Sequence, residues 1–387
     1  MLVGLRLRTM RAAVPITAAL VLGLMLPVAL SVPALAADDG GRIEARWQAT
    51  GAETGPLGAP VAEPYDVGPD GRARDFAGGS IFWSPATDAW EVLPPVRDRY
   101  LALGGPNGFL GFPTAPAAAL NTAEGGLEQV FTGGRFYSST ATGPFAVSGA
   151  ILERYLGIGA TTSYLGFPTT DTVPVTGGFE NLFAVGSIRW DEASRATTVT
   201  GWWVPGVRAV TAAEIPYTYR AGCPVGPDRL RWMTVPYYDW AGLPQMGNLV
   251  ARADVVGDLQ LVFRKAFAAR FPIRRMNPAD VYDGIDVRAM AADNTSAFNC
   301  RKVTGNPYRL SQHSYGNAID INTVENPYVT RRRVYPKAGR TFLDRSNVRK
   351  GMIMRRSPIA RAMAAQGWLW GARWSHPDYQ HFSSNGR

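Results

Sequence analysis

The strongest constraint on the fold is an internal repeat. The pentapeptides "PLGAP" at Pro56 to Pro60, "FLGFP" at Phe109 to Pro113 and "YLGFP" at Tyr164 to Pro168 each follow a basic-aromatic pair: Arg46-Trp47, Arg99-Tyr100 and Arg154-Tyr155. Each precedes a related segment, "FAGGSIFW" from Phe76, "FTGGRFYS" from Phe131 and "FAVGSIRW" from Phe183. Three units of roughly fifty residues therefore fill the region from about Arg42 to Trp203. Stretches such as Ser187-Ile188-Arg189-Trp190 alternate in polarity and are bounded by glycine, which predicts β-strands. The Leu-Gly-Phe-Pro core places a flexible and a rigid residue between hydrophobic ones, the composition of a tight turn pinned by Leu and Phe. The units contain no histidine or cysteine. Chemistry must be sought elsewhere.

Beyond Trp203 the repeat lapses, and residues 204–215, "VPGVRAVTAAE" and its neighbours, read as a linker. From Arg252 to Phe271, Val255, Leu259, Val262, Phe263 and Phe267 follow helical spacing, with Pro272 as a stop. A second helix is predicted after Ser357, with Pro358 in its first turn and Gly367 at its end. Strand-like pieces such as Ala318 to Asn322 lie between them. Residues 216–387 thus read as an α+β domain, and residues 37–203 as a β-rich domain of repeats.

The first 36 residues present Arg6, Arg8 and Arg11, then an apolar stretch from about Ala12 to Leu35, then "ALA" at Ala34 to Ala36 before polar sequence. That order is the order of a secretory signal peptide cleaved after Ala36. An uncleaved membrane anchor is the rival reading, since the stretch is nearly long enough to span a bilayer; Pro15, Pro27 and Pro33 interrupt it. After cleavage no transmembrane segment is expected. In an exported chain the two cysteines, Cys223 and Cys300, are read first as a disulfide. The alternative is a pair of buried thiols.

Removing Arg6, Arg8 and Arg11 from the forty Lys and Arg residues leaves 37 against 31 acids, a net charge of +6. This favours an anionic surface without specifying nucleic acid, and no nucleic acid is expected as a partner. Between Arg331 and Arg361 eleven basic residues face one acid, Asp344. Such a run is ordinarily a solvated face. Its functional alternative is attraction to anionic wall polymer or to substrate carboxylates.

The chain has three histidines, all in its last quarter. In "HSYGNAIDIN", Tyr315-Gly316-Asn317 can turn. The run after it alternates, with Ala318, Asp320 and Asn322 on one face and Ile319 and Ile321 on the other. His313 before the turn and Asp320 after it can then converge on one ion. A catalytic zinc that keeps a position open for water needs a third ligand. His381 is the best candidate, with Asp378 as the group that could take the proton from that water. The bland alternative is an ordinary hydrogen-bonded His-Asp couple.

At these residues the sequence resembles the VanY-like D-Ala-D-Ala carboxypeptidases and the related L-alanyl-D-glutamate endopeptidases, zinc enzymes of bacterial walls. Ser311, His313, Gly316, Ala318 and Asp320 meet the family's Ser-x-His, Gly, Ala-x-Asp motif, and Asp378 and His381 meet its closing Asp/Glu-x-x-His. The segments "NTSAFNCR", "INTVENPY", "GWLWGARW" and "DYQHF" are also similar. The resemblance implies zinc as cofactor, His313, Asp320 and His381 as its ligands and Asp378 as catalytic base. It places Arg301 near the substrate carbonyl or carboxylate and gives Ser311 a hydrogen bond to substrate or to the site. His376 has no motif role. The repeats resemble the LGFP repeats of exported actinobacterial proteins thought to associate with the cell wall, with Ala59 replacing Phe in the first copy.

The implied fold is an α+β zinc peptidase domain, a small antiparallel sheet with helices, following a β-rich domain of three LGFP-type repeats. The implied function is a secreted, wall-associated peptidase acting on peptidoglycan stem peptides, as a D-Ala-D-Ala carboxypeptidase or an L-Ala-D-Glu type endopeptidase. Two alternatives are a non-catalytic zinc-containing protein that binds the cell wall and a peptidase with a protein substrate outside it. Which bond is cut, the wall ligand of the repeats and the oligomeric state have no signature in the sequence.

Overall fold

Each repeat is a helix followed by a four-stranded antiparallel meander. The structure, a computed structural model, describes residues 39–386 apart from Ala123. The signal segment expected at 1–36 lies outside the described residues. The repeat helices are α1 (Asp39–Ala49), α2 (Val96–Ala102) and α3 (Gly149–Gly157). Their sheets run in simple sequential order between residues 65 and 92, 118 and 148, and 173 and 201. The strands follow the alternation in the sequence. The helices carry the basic-aromatic pairs and are too short for helical spacing to reveal them.

Packing explains the repeated motif. Tyr100 and Tyr155 are fully buried, and their hydroxyls donate to the carbonyls of Gly111 (2.6 Å) and Gly166 (2.7 Å), the glycines of the Leu-Gly-Phe-Pro turns. In the first unit the Trp47 indole N–H donates to the Gly58 carbonyl at 2.9 Å. All three glycines have positive φ, 69°, 62° and 67°, which turns each carbonyl back toward its aromatic partner and disfavours a side chain there. Leu57, Leu110 and Leu165 are buried beneath. The turn is thus pinned by the aromatic eleven residues earlier as well as by its own leucine.

The phenylalanine of the turn reaches into the preceding unit. A Cβ on Gly71 would lie 2.1 Å from the Phe112 ring, and one on Gly126 would lie 2.7 Å from the Phe167 ring. One cluster accordingly joins Ala73 and Phe82 of the first unit to Tyr100, Phe112 and Phe131 of the second. Ala59, at the corresponding position of the first unit, is exposed.

The last repeat continues onto the C-terminal region, where Trp203 packs on Phe267 with ring centroids 5.7 Å apart. Residues 204–215, read as a linker, contain a strand, Gly206–Ala209, which pairs antiparallel with Leu230–Tyr238; that strand pairs in turn with Pro244–Arg252. Against this sheet lies α4 (Val256–Ala268), burying Val256, Leu259, Val262, Phe263, Ala266 and Phe267. The helix is shorter than the sequence pattern, since Ala253–Val255 wind as a separate 3-10 turn and Arg270 takes a positive φ of 49°. The short α5 (Asp286–Ala291) follows. As expected, α6 (Pro358–Ala365) begins after Ser357, and Gly367 leaves it with a φ of 78°. From Asp39 onward the chain gathers into one compact unit of mixed helix and small antiparallel sheets. Among the described residues no helix is long and apolar enough to cross a membrane.

Candidate metal centre

The turn and strand expected after His313 are both present. Ser311 stands before a short 3-10 turn, Gln312–Tyr315, and its hydroxyl accepts the His313 N–H at 3.3 Å. Gly316 leaves the turn with φ 66°, and a Cβ there would sit 2.9 Å from the Arg252 backbone nitrogen; only glycine fits. The strand Ala318–Asp320 then pairs antiparallel with His381–Ser383, which sets Asp320 directly opposite His381. Ile319 and Ile321 enter the core on the other face. The alternation stops at Asn322, whose φ is 45° and whose amide donates to the Pro272 and Gly351 carbonyls.

His313, Asp320 and His381 therefore meet, each buried, with one ligand atom apiece all within 4.8 Å of one another. His313 Nε2 lies 3.1 Å from Asp320 Oδ2, His381 Nδ1 lies 3.0 Å from Asp320 Oδ1, and the two imidazole nitrogens are 3.2 Å apart. His313 Nδ1 is 2.5 Å from the Ala297 carbonyl. Donation to that oxygen fixes the tautomer and leaves Nε2 with its lone pair toward the centre. Burial opposes ionisation of Asp320, yet the imidazoles, His313 foremost, hold its carboxyl below the usual carboxylate range.

Asp378 stands beside the centre. Gly371 supports it: the Asp378 N–H donates to the Gly371 carbonyl at 3.1 Å, and a Cβ on Gly371 would meet the Asp378 carbonyl oxygen at 2.8 Å. Its carboxyl is buried, and Oδ1 has no hydrogen-bond partner. Burial first, and the negative charge of Asp320 second, push it up to about 8. Two imidazoles and a carboxylate suit zinc with one position left open, and a buried carboxylate oxygen without a partner suits a polar group held at that position. The residues present fit the ion that the sequence implied.

Both remaining site residues line the same cleft of about 250 Å³. The Arg301 guanidinium pairs with Asp286 at 2.7 Å and donates to the Lys302 carbonyl at 3.1 Å. Cys223 and Cys300 form a disulfide with a Cα separation of 6.1 Å, immediately before Arg301. Sequence reasoning missed Asp286, at the start of α5, because a single acid in a weakly patterned stretch carries no motif. It also missed Tyr328, whose strand bridges to Asp378, and Trp374, whose ring lies 5.3 Å from that of His381. The "INTVENPY" and "GWLWGARW" segments contain Tyr328 and Trp374 without giving either a role. His376 lines the same cleft but does not belong to the His313, Asp320 and His381 cluster.

A buried His-Asp-His set, with Asp320 and His381 on paired strands and His313 in the turn before them, has the donor groups to hold one divalent metal, with the Asp378 carboxyl nearby. Comparison narrows this: residues 304–384 match the family described as D-alanyl-D-alanine carboxypeptidase, and residues 57–108 and 110–163 match the LGFP repeat. Both agree with the VanY-like peptidase resemblance and the repeat architecture read from the sequence. The sheet of the third unit, between residues 173 and 201, lies beyond the matched residues and has the same sequential strand order as the other two. No curated protein matches the chain.

Proposed function

We propose that this protein is a secreted zinc peptidase that hydrolyses peptidoglycan stem peptides. The repeats within residues 37–203 hold it to the cell wall, and residues 216–387 carry the chemistry. The observation that carries this reading is the convergence of His313, Asp320 and His381 next to the unpartnered Oδ1 of Asp378, within the part of the chain that matches the carboxypeptidase family.

A zinc ion held by those three side chains would supply Lewis-acid polarisation and a water of lowered pKa. The protein's own residues do the rest. Asp378 Oδ1 takes the proton of the attacking water and returns it to the leaving amine. Burial and the neighbouring Asp320 raise its proton affinity, which suits it to accept that proton, and the charge of a bound zinc ion would favour the carboxylate form in which it does so. The Arg301 guanidinium, held by Asp286, balances negative charge on the substrate carbonyl or carboxylate. Ser311 fixes the His313 turn and faces the cleft, where it can also meet substrate.

Digestion of purified peptidoglycan with the mature protein, followed by mass spectrometry of the new ends, tests the proposal. Free D-alanine marks carboxypeptidase action and new N-terminal D-glutamate marks endopeptidase action. An unchanged polymer from zinc-loaded protein refutes hydrolysis and leaves a wall-binding zinc protein.

A further inference from the structure

The basic run between Arg331 and Arg361 divides into two kinds of residue. Several of its cations are absorbed by the fold. Arg345 donates to the Glu325 and Ile353 carbonyls and to Asn326 Oδ1, and lies over the Tyr379 ring. Arg349 lies 3.7 Å over the Phe342 ring, and Lys350 Nζ donates to the Trp240 carbonyl. Arg331, Arg332 and Arg333 belong to the exposed remainder of the run, with Lys337, Arg340, Arg355, Arg356 and Arg361. Among the described residues none of the guanidinium groups of Arg331, Arg332 and Arg333 forms an ion pair.

These three residues form the tip of a hairpin whose strands are Tyr328–Val329 and Val334–Tyr335. Thr330 orders the tip: its hydroxyl accepts the Arg333 N–H at 2.9 Å and donates to the Arg333 carbonyl at 2.9 Å. The hairpin is attached to the catalytic segment, since the Val329 N–H donates to the Pro377 carbonyl at 2.8 Å and Tyr328 bridges to Asp378. The three arginines line a groove of about 690 Å³ with Tyr328, Tyr335 and His376, and no acidic residue lines it. Thr304, Tyr328 and His376 line both this groove and the cleft of the metal centre. A substrate lying in the cleft and extending past His376 would meet three arginines on a hairpin whose backbone is tied to the Asp378 segment.

We propose that this groove is a carboxylate-binding subsite that selects peptides carrying a free acidic group on the chain flanking the scissile bond. Guanidinium groups suit this ligand because each can bind a carboxylate through two parallel N–H bonds. The proposal rests on the reading of the protein as a peptidase and adds the chemistry of its substrate: an anionic peptide, distinguished from its amidated form. His376 stands at the junction of cleft and groove and lines the path between them.

The test compares two soluble pentapeptides, L-Ala-γ-D-Glu-L-Lys-D-Ala-D-Ala and the same peptide with only the D-glutamate α-carboxyl amidated. Calorimetric binding is measured with the full mature chain, zinc-loaded and carrying Asp378→Asn to prevent turnover. The acidic peptide should bind about five-fold more tightly at low salt, as partly exposed charge pairs allow. The advantage should fade near about 0.5 M salt and vanish on adding Arg331→Ala, Arg332→Ala and Arg333→Ala together. It should persist in the charge-matched control Arg340→Ala, Arg355→Ala and Arg356→Ala. Equal binding of the two peptides, no binding of either, an advantage that survives the first triple substitution, or one lost equally in the control overturns the subsite. Loss of wall sedimentation with unchanged peptide discrimination also overturns it, in favour of polymer binding. Carboxylate-dependent binding by a protein that cleaves no peptidoglycan would uphold the subsite and refute only the hydrolytic reading.

Discussion

Asp378→Asn separates the chemical task of this carboxyl from its cost to the fold. The substitution retains shape and removes both the proton acceptor and a buried negative charge next to Asp320. If Asp378 is the base, turnover on a soluble stem peptide falls by about two to four orders of magnitude, while zinc content remains near about one per chain. The effect on stability runs the other way. An ordinary aspartate titrates near about 3.9, whereas burial and Asp320 push Asp378 up to about 8. The folded state therefore holds this proton more tightly than the unfolded state. Its contribution is fully present below about pH 4 and is lost as pH rises through about 8, with about 6 kcal/mol as the upper bound. In chelated protein, Asp378→Asn removes that dependence: the variant should match the wild type near pH 4 and exceed it by up to several kcal/mol above pH 8. Zinc should narrow the gap, because a cation offsets the same charge. Urea unfolding of both proteins across this range, with and without chelator, provides the measurement. Equal pH slopes in the chelated proteins would refute the electrostatic account, and loss of zinc from the variant would make Asp378 a ligand.

His313→Ala and His381→Ala should each lower zinc occupancy together with activity, measured by elemental analysis after dialysis; full occupancy in the double variant would refute the ligand assignment. The Cys223–Cys300 bond closes a loop spanning 77 residues, worth about 4.5 kcal/mol on the chain-entropy model. Cys223→Ser with Cys300→Ser should lower the urea midpoint accordingly, and an unchanged midpoint would show that the bond stabilises little. A chain beginning at Val204 keeps the strand Gly206–Ala209. It should cleave a soluble stem peptide about as fast as the mature protein yet sediment less with isolated wall; unchanged sedimentation would remove the anchoring role of the repeats.

The sequence by itself determined the elements whose signals are local. The thrice-repeated turn is legible because Leu, Gly and Pro each act within a few residues, and the strands after it because alternation has a period of two. The ligand types and the turn between His313 and Asp320 are legible for the same reason, as are the boundaries of α6, where Pro358 and Gly367 punctuate the chain. Tertiary structure decided whatever depends on partners distant in sequence. The pairing that sets His381 opposite Asp320 spans 61 residues, and no spacing rule encodes its register. The bond from Tyr155 to Gly166 and the insertion of Phe167 beneath Gly126 give a reason for the motif that its repetition alone did not supply. Asp286 became part of the site only because α5 lies against Arg301. Within one basic run, packing alone assigned Arg345 to buried carbonyls and left Arg331, Arg332 and Arg333 facing the groove. Charge along a chain is additive and visible in sequence, whereas its neutralisation depends on which carbonyls, rings and acids the fold brings within reach.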